Sequence, residues 1–250
     1  MRINKKIVFC IIFLIFSFSN FAFAIKNDSN YDDIMSEIES EYSEENTKTV
    51  SDPLEPVNRV MFKINDKLYF YFFKPVAKTY SEIVPLNFRQ GISRAFTNIK
   101  YPIRAVNYIL EFKFVNFFKA TCRLIINTAL GFGGLLDPAA GIKSLKKPPK
   151  ADSGLTLGKW GLGHGMYLVL PVFGPSSLRD GVGTIGDYFL NPITYVEPAY
   201  ASYGIKGGEK LNYLSLHLGE YEDLKSAAMD PYIAVRNAYI QHRDSLLSNN

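Results

Sequence analysis

Apolar residues recur at helical spacing in several stretches of this chain, and in one of them the polar positions shrink to a narrow stripe. From about Phe114 to Leu130 the polar residues Lys113, Asn116, Lys119, Arg123 and Asn127 step by 3, 3, 4 and 4, and nearly everything between them is apolar. That predicts a helix with a broad apolar arc, stopped at Gly131, where a left-handed residue costs little. An earlier helix is predicted from Asp52 to about Phe73, because Val57, Val60, Met61, Ile64, Leu68, Tyr71 and Phe72 recur at three and four. Asp52, Pro53 and Glu55 supply the acceptor, proline and carboxylate of a helix start, and Pro75 is expected to end it. Another helix is predicted near Pro102, with Arg104, Asn107 and Glu111 on one side. Towards the C-terminus, Leu211, Leu214, Leu218, Leu224 and Ala228 give a fourth pattern, and Asp230 with Pro231 opens a fifth through Tyr232, Val235, Tyr239 and Leu246.

The segment between Gly131 and Pro198 reads differently. It holds thirteen of the chain's eighteen glycines up to Gly186, interleaved with aromatics and prolines, and predicts loops, short helices and one hairpin around Pro148 and Pro149. The fold class is therefore all-α, with a Gly/Pro-rich centre and room for one short hairpin.

After the first 24 residues nothing reaches the roughly 18 uninterrupted apolar positions of a spanning helix. The alternating segments of a membrane barrel are absent as well. Two readings stay open: amphipathic helices lying in a membrane interface, or a domain enclosing a deep apolar cavity.

Charge and targeting shift the balance. Arg2, Lys5 and Lys6, an apolar run from Ile7 to Phe18, and Ala22, Phe23 and Ala24 make a secretory signal over residues 1–24. Cys10 lies too early to be a lipid-attachment cysteine, so the mature chain is expected to carry no lipid. Residues 25–50 are polar and acidic and read as a linker, leaving residues 51–247 as one helical domain. The formal charge of +4 hides an asymmetry: residues 56–250 hold 23 Lys and Arg against 14 Asp and Glu. A basic, exported body meets anionic lipid head groups more readily than nucleic acid, although the same charge also serves solubility. Cys122 alone remains after the signal, which excludes an internal disulfide and a cysteine-rich zinc site.

Few motifs point to catalysis. Gly181, Gly183 and Gly186 spell GxGxxG, but Arg179 and Asp180 precede it where a buried strand is required. His164 sits among glycines without a GxSxG elbow or ligand spacing, and reads as structural. Ser176 and Ser177 beside Asp180 are the residues a lipid hydrolase would use, with no base at a recognisable spacing. The aromatic clusters Tyr69–Phe73, Phe112–Phe118 and Tyr195–Tyr203 serve either a core or an interfacial belt. If the third helix lined a passage, Lys119 and Arg123 would hold a phosphate while acyl chains stayed on the apolar arc.

DPLEPVN at Asp52–Asn58 followed by Arg59, NTALGFGGLLDP at Asn127–Pro138, TLGKWGLGHG at Thr156–Gly165, LPVFGPSSLRD at Leu170–Asp180 and DPYIAVR at Asp230–Arg236 resemble, in this order, the MlaA (VacJ) family. The resemblance covers about Ser51 to Asp244.

It implies a non-enzymatic helical protein without cofactor or metal, seated as a ring in the inner leaflet of a Gram-negative outer membrane. Such a protein would remove mislocalised phospholipids from the outer leaflet through an amphipathic channel, beside a porin trimer, and pass them to a periplasmic lipid carrier, so maintaining lipid asymmetry. Carried over residue by residue, Arg59 and Lys63 would border the channel with Lys119, Arg123 and Asn127. Gly131, Gly133 and Gly134, with Lys146 and Lys147 of a hairpin over the channel, would form the gate. A lipid hydrolase and a porin-associated structural protein without transport are the alternatives.

Overall fold

Where the sequence pattern ends the first helix at Pro75, the backbone stays helical past it. In the computed structural model, which describes residues 51–248, α1 (Glu55–Leu68) runs into one π turn (Tyr69–Phe73) and then into α2 (Lys74–Ile83). Pro75 falls in the first turn of α2, just after the π turn has widened the hydrogen-bond ladder, so its missing N–H costs little there. Next come α3 (Leu86–Ile99), α4 (Tyr101–Leu110) and α5 (Phe114–Ala129), then two 3₁₀ turns (Pro138–Gly141 and Lys143–Leu145) and α6 (Ser153–Lys159). Strands β1 (Tyr167–Leu170) and β2 (Gly174–Ser177) follow, then α7 (Leu178–Leu190), a 3₁₀ turn (Pro192–Tyr195), α8 (Ala199–Leu216), α9 (Glu220–Ala227) and α10 (Pro231–Ser248). Helices α2 and α3 correspond to no pattern singled out in the sequence.

The described residues are all-α apart from one antiparallel hairpin, in which Tyr167 lies opposite Ser177 and Leu170 opposite Gly174. Its position corrects the expectation: Pro148 and Pro149 form no strand, since adjacent prolines lack the N–H groups a ladder needs. The C-terminal pattern is also corrected. One expected helix from Leu211 to Ala228 is two, because Gly219 at φ +101° breaks the chain between α8 and α9.

Helix α1 does the work of a third strand. Asn58 Nδ2 donates to the Tyr167 carbonyl at 3.0 Å and its Oδ1 accepts from Val169 N at 2.9 Å. Two turns further on, Asn65 donates to the Leu170 carbonyl at 2.9 Å and accepts from Val172 N at 2.6 Å. The first amide thus pairs with the free edge of β1 and the second with the strand's last carbonyl and the turn after it, where Val172 sits at φ +67°, satisfying backbone groups that would otherwise be buried without partners. Both asparagines are buried in consequence.

Asp52 does not cap α1, contrary to the sequence pattern. The residue before the helix is Leu54, which makes no side-chain cap. The Asp52 carboxylate instead accepts from Asn58 at 2.8 Å, from the Tyr232 hydroxyl and from Arg236 at 3.3 Å, tying the start of the domain to α10.

The core lies where the π turn, the hairpin and the C-terminal helices meet, around Tyr69, Phe73, Val172, Leu214 and Val235, and continues through Tyr167, Tyr232, Tyr239 and Ile240. Its tyrosines bury their rings and hand their hydroxyls to carboxylates: Tyr69 to Glu222 at 2.7 Å, Tyr221 to Asp66 at 2.7 Å and Tyr239 to Asp180 at 2.5 Å. The GxGxxG segment is helical and packs α7 on α6. A Cβ at Gly183 would lie 2.3 Å from Gly154 N, so two glycines let the backbones touch. That geometry serves helix contact, and the strand before it, β2, belongs to a two-stranded antiparallel hairpin and not to the parallel βαβ unit a dinucleotide site requires.

Candidate functional site

Three helices turn their apolar faces out and their polar residues in. On α5, Val115 is 67%, Phe118 63% and Ile125 59% exposed, with Cys122 exposed between them, a stripe at steps of 3, 4 and 3. Arg123 and Asn127 point the other way, into the protein. On α1, Val57, Val60 and Ile64 are exposed while Asn58 and Asn65 are buried. On α7, Leu178, Val182, Ile185 and Phe189 are exposed at steps of 4, 3 and 4, above buried Arg179 and Asp180. Tyr71, Phe112, Phe132, Tyr195 and Tyr200 are exposed as well, so the aromatic clusters divide between core and exterior. Among the described residues no helix is long and apolar enough to cross a membrane. Apolar surface of this extent marks a site of association with lipid or protein.

Behind the α5 arc the polar stripe holds a strap. Arg123 donates to Asp137 at 2.5 Å and to the Leu145 carbonyl at 2.6 Å, and its side chain is only 11% exposed. Asn127 donates to the other oxygen of Asp137 at 2.8 Å and accepts from Ala139 N at 3.1 Å. One helix face thus grips both 3₁₀ turns of residues 138–145. The turn that leads there needs its glycines: a Cβ at Gly131 would come within 2.6 Å of the Asn127 and Leu136 carbonyls, and Gly134, at φ +98°, would push one into Asn98. Gly133 also has positive φ, at +71°, and faces open space.

The structure thus brings together Arg123, Asn127 and Gly131, with Gly133 and Gly134 on the same turn. Lys119, one turn earlier on α5, is half-buried and forms no hydrogen bond or ion pair among the described residues. Lys146 and Lys147 are exposed just beyond the strap. Arg59 and Lys63 belong to a different assembly, on the helix that clamps the hairpin. Arg59 bridges Glu55 at 2.7 Å and Asp230 at 2.8 Å, with its guanidinium over the Tyr232 ring, and these hydrogen bonds hold its pKa above the usual arginine value. Lys63 is exposed.

Beneath the arcs runs a polar network that joins α4, α6, α7 and α10. Thr156 donates to Asn107 at 2.7 Å and to Glu111 at 3.0 Å, and Glu111 in turn meets Lys113 at 2.7 Å and Lys159 at 3.3 Å. Ser153 donates to Asp187 from its hydroxyl at 2.6 Å and its backbone at 3.0 Å. Burial and the nearby Asp152 push Asp187 up to about 6. Arg243 closes the network, bridging Asp152 at 2.8 Å and Asp180 at 2.8 Å. Burial alone would raise Asp180, but Arg243, the Tyr239 hydroxyl and Arg179 hold it below the usual carboxylate range.

This network leaves the hydrolase residues without a catalytic arrangement. Ser177 is fully buried, and its hydroxyl accepts from Asp180 N at 3.2 Å as the cap of α7. The His164 ring contacts Asp244 at 2.8 Å, and among the described residues no hydrogen bond joins it to either serine. Among the described residues no group of three His, Cys, Asp or Glu is placed to hold a metal ion.

Sequence reading missed the clamp residue Asn65, the exposed arc of α7 and the network residues Ser153 and Thr156, and it considered Asp187 only as an acid partner for His164. The α7 arc had a legible signal at Leu178, Val182, Ile185 and Phe189, overshadowed by the glycines between them. Asn65 also stood out as an amide seven residues, or two helical turns, after Asn58.

The family model described as "MlaA lipoprotein" matches residues 50–246. A protein of Escherichia coli (strain K12), named intermembrane phospholipid transport system lipoprotein MlaA, is 34% identical over 199 residues, covering 78% of this chain and 77% of its own length. The protein of the same name from Haemophilus influenzae (strain ATCC 51907 / DSM 11121 / KW20 / Rd) is 31% identical over 209 residues, covering 78% and 80%. A solved structure described as the structural basis for maintenance of bacterial outer membrane lipid asymmetry superposes with a TM-score of 0.69 at 34% identity, covering 79% of this chain and 99% of that one.

Proposed function

This chain belongs to the MlaA lipoprotein family, and from that premise we propose that it is the outer-membrane component of a phospholipid transport system. In this reading it takes mislocalised phospholipids from the outer leaflet and passes them to a periplasmic carrier, maintaining lipid asymmetry. The observation that carries it is the inverted amphipathicity of α1, α5 and α7. Helices with exposed aliphatic arcs and inward amides and cations suit a body seated as a ring in one leaflet, with its exterior solvated by acyl chains and a polar interior left for head groups. Helices long enough to span are unnecessary for such seating.

Within the interior, Lys119 is the cation available to a phosphate, since Arg123 and Asn127 are engaged by the strap. Arg123 and Asn127 would then set the position of the segment leading to Lys146 and Lys147, and Gly131, Gly133 and Gly134 would let it turn. Arg59 and Lys63 would line the opposite approach. Transfer needs no bond made or broken: tails exchange one apolar surroundings for another while the head group exchanges water for protein charge. A porin trimer would flank the exposed arcs.

The test is outer-leaflet phospholipid in cells that depend on this protein, comparing wild type with Lys119→Glu. A rise in outer-leaflet phospholipid with normal membrane localisation is expected. Wild-type levels would remove Lys119 from the route. Incubating purified protein with labelled phospholipid tests the absence of chemistry, and released fatty acid would favour a hydrolase.

A further inference from the structure

One inward residue of α4 reaches solvent and has no counter-ion. Asn107 and Tyr108 mark the inner face of this helix, and both are fully buried and satisfied there. Asn107 donates to the Ile103 carbonyl at 2.8 Å and accepts from Thr156 at 2.7 Å, and Tyr108 donates to the Pro149 carbonyl. Arg104 stands three and four residues before them, so it lies between them on the same face. Yet Arg104 is only half-buried, which places its guanidinium in an opening on the inner side of α4 and not against packed atoms. Among the described residues it makes one hydrogen bond, from Nη2 to the Thr97 carbonyl at 2.7 Å, and no ion pair. Burial lowers its pKa, with Tyr108 opposing the fall and Arg123 adding to it. Arg123 is itself held by Asp137, so one carboxylate stands against two guanidinium groups.

The wider region has no acid to spare. Between Leu86 and Leu190 the chain carries thirteen Lys and Arg against five Asp and Glu. Those five, Glu111, Asp137, Asp152, Asp180 and Asp187, are each already engaged by the side chains described above. A phosphate entering here meets cations, whereas an ammonium reaches a carboxylate only by displacing its partner.

We propose that Arg104 binds the phosphate of a phospholipid in the interior, and that the route thereby favours head groups of net negative charge, such as phosphatidylglycerol, over zwitterionic phosphatidylethanolamine. The planar guanidinium has N–H groups left over after Thr97 and presents them as a fork that matches two phosphate oxygens. It is a second cation for the head group, on α4 where Lys119 is on α5. A zwitterionic head would gain the same contact and lose it again in leaving its ammonium without an acceptor. The inference rests on the transport reading for the presence of lipid inside the protein and goes beyond it in naming the head group.

The test titrates the full chain in amphipol with dihexanoyl-phosphatidylglycerol, dihexanoyl-phosphatidylethanolamine and inorganic phosphate. Wild type should bind the anionic lipid about ten-fold or more tightly than the zwitterionic one, and phosphate at the same concentration should not displace it. Arg104→Gln should weaken the anionic lipid about ten-fold and bring the two lipids within about two-fold of each other. Arg104→Lys keeps the charge but loses the fork, and should fall between. Phenylglyoxal modification of Arg104 in the wild-type chain, read by mass spectrometry, needs no variant and should be slowed by the anionic lipid alone. Equal binding of the two lipids by wild type, an unchanged preference in folded Arg104→Gln, or modification indifferent to lipid would overturn the proposal. Displacement by equimolar phosphate would also overturn it and assign the site to the free ion. Equal binding would leave the transport reading standing. Selective binding by a protein whose deletion leaves outer-leaflet phospholipid unchanged would remove that reading and keep the site.

Discussion

Helices α5 and α10 are of similar length and solve opposite problems. On α10 the buried positions are Tyr232, Val235, Tyr239 and Ile240, packed into the core with Arg243 among them. On α5 Phe114, Val115, Phe118 and Ile125 face out, and the inward face carries Arg123 and Asn127 beside Phe117 and Ala120. Buried and exposed apolar residues therefore mean different things in the two helices. At α10 they hold the domain together, while at α5 they fit it to its surroundings and polar residues do the holding. A period of 3.6 marks both helices without telling which face is inside.

Four substitutions test that contrast, from the largest expected effect down. Arg243→Leu should cost about 3–5 kcal/mol in denaturant unfolding, because Asp152 and Asp180 would be left as uncompensated buried charges. A loss below about 1 kcal/mol would mean that the network is not what secures α10. Next, Ile240→Ala should cost about 2–5 kcal/mol, whereas Ile125→Ala should stay within about 0.5 kcal/mol. Equal costs would abolish the distinction between the two helices. Asn65→Ala should cost about 1–3 kcal/mol, since the Leu170 carbonyl and Val172 N lose their partner together.

The last test is a pH slope at Asp187. Its carboxyl is raised in the folded state to about 6 from the ordinary 3.8, so the stability linked to its proton is full below 3.8 and lost as pH rises through about 6. Asp187→Asn should remove that fall, about 3 kcal/mol at most. Parallel stability profiles for wild type and variant between pH 4 and 7 would place the carboxyl's titration elsewhere.

Much of this was legible in the chain, for reasons that differ between elements. The boundaries of α5 and α10 follow from periodicity plus Gly131 and Asp230, signals confined to a few neighbouring residues. The strap was foreshadowed by the block from Asn127 to Pro138, yet its grip on Arg123 depends on Asp137 folding back, a contact that no local pattern encodes. Asp52 misled because a good capping residue has other uses: Asn58 and two residues about 180 positions away, Tyr232 and Arg236, compete for its carboxylate. Pro75 misled because the five residues before it form a wide turn, and YFYFF carries no signature of one. The hairpin could not be placed from the glycines and prolines, since its outer edge is completed by asparagines from a helix more than a hundred residues earlier.

That wide turn has a consequence for how the chain tolerates length change. One residue of α-helix corresponds to about 100° of rotation, so deleting any one of Tyr69 to Phe73 would swing α2 round its axis relative to α1. Phe73 and Ala77 would leave the core, and Pro75 would lose the relaxed ladder that accommodates it. The segment therefore acts as a phase setter between two rods, open to exchange at exposed Tyr71 yet intolerant of a single-codon loss.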